Sequence, residues 1–306
     1  MAETVACLHR GKVEVVRHGQ ASQHLESPYQ RQQATSNDAP LVAPIVSVTR
    51  GRTHGELCYV IKHRGASSVF AQVPGTGHEQ RLFHGTDTDL SELDFSFADA
   101  ALACTVAGAN GTSAIAVLAD DGKGVRTVTE GDVIDRAPRW APGGRGEIVY
   151  ASAGIGRTQA GKAVGRSPFA LHRLRFSDNS VEVLMSDAHY DYVTAVPFSP
   201  GVLYALRRSY EKATPLSVWT AIPRAFREFF SGAGGAEAGP LRGHELVRIT
   251  AEGLRLVAPD VVAFDVAESE DIIYSNGKGV FRIARQQATP EPVVALDRVE
   301  QLLIYR

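Results

Sequence analysis

The sequence is poor in the residues that carry redox and metal chemistry. Its 306 residues include only three cysteines, two methionines and two tryptophans. Three is an odd number, and Cys7, Cys58 and Cys104 stand 51 and 46 residues apart. A disulfide framework of the kind that staples small secreted domains is therefore not expected. No C-x-x-C pair offers a zinc ligand set, and the ten histidines form neither H-x-H nor H-E-x-x-H. The chain also lacks G-x-S-x-G, which excludes the usual serine-hydrolase elbow. No catalytic residue, metal ion or cofactor is expected.

Charge and long apolar runs are missing too. Lys and Arg number 32 against 34 Asp and Glu, for a net charge of −2, and no basic stripe marks a nucleic-acid footprint. No apolar run approaches the length of a membrane span. Residues 1–7 lack the basic start and apolar core of a secretory signal, so a cytoplasmic protein, monomeric, is expected.

What is present is repetition. Cys7, Cys58 and Cys104 lie in short apolar runs, and Tyr150, Tyr204 and Tyr274 occupy the same frame, with successive gaps of 51, 46, 46, 54 and 70 residues. A unit of roughly 40–50 residues is the length of a propeller blade. The six positions read as buried residues at one repeated strand position, and not as metal ligands.

The clearest stretch runs from Asp135 to Tyr150. An extended segment ends on Trp140, Pro142-Gly143-Gly144 supplies a tight turn, and Ile148-Val149-Tyr150 begins the next strand. The stretch resembles the PD40 repeat of the TolB-like β-propellers, whose core reads roughly D-x-x-P-x-W-S-P-D-G. Asp135, Pro138, Trp140, Pro142 and Gly144 match, while Ala141 replaces Ser and Gly143 replaces Asp. The resemblance implies a rigid disc that meets partners or ligands at one face. The family includes partner-binding proteins, peptidase domains and carbohydrate-active enzymes.

An all-β, six-bladed propeller is thus expected, as a single domain over residues 1–306. Blade one is placed at 41–84, blade two at 90–129, blade three at 136–185, blade four at 190–258 and blade five at 261–295. Residues 300–305 are left over as one strand, and 3–17 form a hairpin without a first strand, so the two ends should share a sixth blade. The alternative is seven blades using the polar stretch 18–40, which is otherwise read as a loosely held outer strand and loop.

Two second-to-third loops are long and fall on one face: 153–168 in blade three and 209–243 in blade four. The latter holds the one persuasive helix, about 222–231, with Trp219, Ile222, Phe226, Phe229 and Phe230 at helical spacing. These rings form either a lid on the propeller or a docking surface. Together with Arg157 and Arg166 they are the candidate contacts for another protein.

Aspartates recur between blades, and Asp89, Asp135, Asp191 and Asp260 are placed around one mouth of the channel. They read more simply as caps of the blade connections. A protein-interaction scaffold is the favoured function. The alternative is a small lyase or hydrolase acting on a saccharide, with a metal at the channel mouth.

Overall fold

In the second strand of a propeller blade both faces are covered by neighbouring blades, so such strands should be continuously apolar and not alternating. Leu57–His63 and Ala101–Ala107 show this, each with five consecutive buried residues. Outer strands lose that cover, and Ser180–Met185 contains no buried residue. In this computed structural model the described residues are 4–17, 22–30, 43–119, 124–143, 146–211, 243–285, 287 and 289–305.

Among them the strands pair as six antiparallel groups of four. Blade one is Ile45–Arg50, Leu57–His63, Ala66–Gln72 and Glu79–Gly85. Blade two is Asp89–Ser96, Ala101–Ala107, Ser113–Ala119 and Val125–Thr127. Blade three is Val133–Trp140, Glu147–Arg157, Ala170–Arg175 and Ser180–Met185, and one parallel bridge, Ser113 to Ile134, links it to blade two. Blade four is Tyr190–Ser199, Val202–Ser209, His244–Thr250 and Gly253–Val261, and blade five is Ala263–Val266, Ile272–Ser275, Val280–Ile283 and Glu291–Val294. In the terminal blade Val299–Tyr305 pairs with Thr4–His9, which pairs with Lys12–Arg17 and then Gln23–His24. The last strand is thus the innermost strand of a blade begun by the first, and Thr4–His9 is paired on both edges.

The inner strands are joined by a belt of side-chain-to-backbone hydrogen bonds. Ser47 Oγ accepts from the Leu93 amide at 2.8 Å, Asp94 Oδ2 from Trp140 at 2.8 Å, Asp265 Oδ2 from Ile304 at 2.8 Å, and Gln301 Oε1 from Val48 at 3.0 Å. Each bond crosses from one blade to the next, and each satisfies an amide that the blade's own ladder leaves over. The tryptophan of the repeat motif has a place in this belt. Trp140 is buried, and its indole Nε1 donates to the Asp94 carbonyl of the preceding blade at 3.2 Å. Pro138 is tolerated in an inner strand because the register shifts between Arg136 and Arg139 and Ala137 takes φ 50° there.

All three cysteines are buried, and they lie on the second strands of their blades, as do Tyr150, Tyr204 and Tyr274. Burial pushes each thiol up to about 12.

Two local expectations need correction. Residues 22–30 are not loosely held. Leu25 and Ser27 are buried, the Tyr29 ring lies 5.2 Å from that of Phe70, and Glu79 accepts from the Ser27 hydroxyl and the Tyr29 amide. A single half-buried carboxylate in blade one, Glu79, anchors this stretch, and composition does not reveal that. Residues 153–168, expected as a long second-to-third loop, form a β-hairpin. The second strand of blade three continues to Arg157 and folds back as Ala163–Arg166, pairing Ile155 with Arg166 and Gly156 with Gly165. The expected helix at 222–231 lies outside the described residues.

Candidate functional site

With four antiparallel strands per blade, second-to-third loops and between-blade connections emerge on one face. The hairpin of blade three, the insertion of blade four and the connections that carry the aspartates therefore share that face. The hairpin is braced at both ends. Near its tip the Arg157 Nε reaches both oxygens of Asp132 at 2.7 and 2.6 Å, while Nη2 donates to the Asn110 carbonyl of blade two at 3.3 Å. Val164, on the returning strand, is 48% exposed.

At its base Arg166 makes a two-pronged pair with Asp191, Nη1 to Oδ1 and Nη2 to Oδ2, both at 2.7 Å. The Phe169 amide donates to Asp191 Oδ1 at 2.9 Å, and Arg208 Nε approaches Oδ2 at 3.4 Å. Burial pushes the Asp191 carboxyl up, but Arg166, the Phe169 amide and Arg208 outweigh it and hold it below the usual carboxylate range. The Arg166 guanidinium also stacks 4.5 Å from the Phe169 ring centroid and 5.3 Å from that of Tyr210.

Tyr210 is the last side chain but one before residue 212, and its hydroxyl donates to the Arg166 carbonyl while its amide donates to His189 at 2.7 Å. On the return side, Gly243 lies against Asp260 so closely that a Cβ would meet the Asp260 Cα at 2.5 Å, which explains a glycine there. His244 follows, and burial, with Arg208 next, lowers its pKa to about 4, so it is neutral at pH 7. The stem of the insertion and the base of the hairpin are thus one packed unit centred on Arg166.

The four channel-mouth aspartates are not brought together. Asp89 pairs with Lys62 of blade one, and Asp191 is spent on Arg166 and Arg208. Asp135 is buried, which pushes its carboxyl up against the Ser152 and Thr129 hydroxyls that hold it down. Asp260 is exposed, with φ 54°, near the end of an outer strand. Three of the four lie where one blade meets the next, as capping residues would. Among the described residues no three His, Cys, Asp or Glu gather as a metal site would need. Arg157 and Arg166 are on the expected face, but both are committed to pairs within the chain. Trp219, Ile222, Phe226, Phe229 and Phe230 lie outside the described residues. Sequence reading missed Phe169 and Tyr210, which look like ordinary strand-end aromatics until the fold sets Arg166 between them.

The sequence matches no family model and no curated protein. Its fold has many counterparts among solved structures. A chain of the nidogen/laminin complex superposes with a TM-score of 0.64 at 9% identity, covering 99% of this chain and 98% of that one. TolB from Acinetobacter baumannii gives 0.60 at 12% identity, over 99% of this chain and 66% of that one. The tricorn protease gives 0.57 at 10% identity, over 98% of this chain but 34% of that one. Likeness at such low identity defines the fold, and the fold is a TolB-like β-propeller. Among the described residues no helix is long and apolar enough to cross a membrane.

Proposed function

We propose that the protein is a non-enzymatic interaction scaffold, and that another protein docks on the face carrying the blade-three hairpin and the blade-four insertion. The observation that carries this reading is the Arg166 stack, which ties the hairpin base to the insertion stem through Phe169, Asp191 and Tyr210. A rigid base shared by the hairpin and the insertion stem lowers the ordering cost of association there. The apolar set Trp219, Ile222, Phe226, Phe229 and Phe230 gives the insertion four aromatic rings, a residue class enriched at protein interfaces. The similarity to TolB and to a chain of a two-protein complex agrees with such a use.

The test compares the full chain with a deletion of residues 213–240 and with Val164→Asp. Both variants should keep the circular dichroism and melting behaviour of the parent. The deletion should abolish co-purification of the partner, and Val164→Asp should weaken it by about tenfold. A partner retained at full strength by both variants overturns the reading.

A further inference from the structure

The opposite face holds a second feature, between blades four and five. A cavity of about 280 Å³ opens there, lined by Tyr204, Arg248, Arg255, Glu270 and Arg285. Glu270 is buried in its lining, accepts from the Tyr204 hydroxyl at 2.8 Å and from Arg248 Nε at 3.3 Å, and pairs with Arg285, whose Nε lies 3.1 Å away. Both arginines meet the carboxylate through Nε. Among the described residues their Nη groups make no hydrogen bond, and Arg255 makes none at all.

The charge does not balance. Three guanidiniums line a cavity with one carboxylate, an excess of two positive charges. Arg248 and Arg255 are moreover direct cross-strand partners. Like charges in that register destabilise a sheet, so the arrangement is unfavourable unless something negative lies between them. Val257, Ile272, Ile283 and Ala284 give the remaining wall an apolar part, with Gln287 beside it.

We propose that this cavity is a binding site for a small phosphate monoester. A monoester places about two negative charges and three acceptor oxygens on one group, which matches the charge excess and the unused Nη edges. Its organic part would lie along the apolar wall. A carboxylate carries half that charge, and a sulfonate carries the same three oxygens with one charge. The site does not depend on the partner-docking reading, because it lies on the other face and uses none of the same residues.

Isothermal titration with phenyl phosphate at pH 8 and low salt tests the site, with benzenesulfonate as the singly charged control. Phenyl phosphate should bind saturably at one site, about tenfold or more tighter than benzenesulfonate. Arg255→Gln and Arg285→Gln should each weaken it by about tenfold. Arg255 and Arg285 are exposed, so both variants should fold, and a cooperative melt within a few degrees of the parent's in the absence of ligand would verify it. Three results would each overturn the proposal: no saturable binding, equal binding of the sulfonate, or unchanged affinity in both variants.

Discussion

The two sides of blade four solve the same problem differently. Where it meets blade three, Asp191 is 2% exposed at its side chain and faces two arginines and a backbone amide, with Arg166 using both prongs of its guanidinium. Where it meets blade five, Glu270 is 10% exposed and also faces two arginines, but each touches it through Nε alone, and a third arginine stands nearby. The first seam is closed by Arg166, which spends both Nη donors on Asp191, while Arg208 meets the same carboxylate through Nε. The second leaves donors and positive charge pointing into a cavity. Similar residue types thus make a lock on one side and an open, anion-accepting cleft on the other. The difference lies in Arg166, which turns both Nη groups onto its carboxylate as neither arginine of the second seam does.

The largest expected effect breaks the lock. Asp191→Asn leaves Arg166 and Arg208 without a counter-charge in a partly buried place, and should cost about 3 kcal/mol, or a melting temperature roughly 6–10 °C lower. Glu270→Gln should cost about 1 kcal/mol, because Arg285 is 67% exposed and water can replace the lost charge. Equal losses in the two variants, or a larger loss at Glu270, would show that the two seams are alike after all.

Acid sharpens the contrast. His244 sits at the closed seam with Arg208, Arg136 and Asp191 around it, and its pKa falls from 6.5 to about 4. The unfolded chain therefore takes up a proton that the native state refuses, so stability must fall as the pH drops from 6.5 towards 4. His9 and His172 are also lowered by burial and add to the slope, so the informative quantity is a difference. Denaturant melts of His244→Gln should show a shallower loss over that window than the parent. An identical slope would place His244 in water and loosen the account of this seam. No histidine lines the other cavity, so phenyl phosphate binding should not be affected by the same substitution.

How much of this was legible in the sequence follows from the range of the interactions. Strands, blades and the shared terminal blade depend on apolar runs and turn residues within ten or so positions, and these were read nearly to the residue. The buried frame of Cys7, Cys58, Cys104, Tyr150, Tyr204 and Tyr274 was visible because the repeat samples one environment six times. The Asp135–Gly144 motif pointed to the fold, yet the reason for its tryptophan, the Asp94 carbonyl, lies 46 residues away in another blade. The site was less readable for the same reason. Arg166 and Asp191 are 25 residues apart, and Tyr204 and Glu270 are 66 apart. In the sequence nothing sets Arg255 apart from the other charged residues, and only the register that places it opposite Arg248 gives it meaning.

The smallest effect is the most specific. If Arg248 and Arg255 repel across the outer strands of blade four, removing one charge should stabilise the ligand-free protein, an unusual outcome for a truncation. Arg255 has no partner among the described residues, so Arg255→Gln loses no hydrogen bond and keeps most of the side chain's length. The gain should be a few tenths of a kcal/mol at low salt, the scale of a like-charge pair on a sheet surface. It should vanish in 1 M NaCl, where the screening length falls to about 3 Å. Phosphate should reverse the order, since a bound dianion stabilises the parent by mass action and the variant much less. Melts of both proteins in low salt, in 1 M NaCl and with phenyl phosphate give the three comparisons. A variant less stable than the parent at low salt would mean that Arg255 contributes a contact of its own, and that the open seam holds less strain than its charges imply.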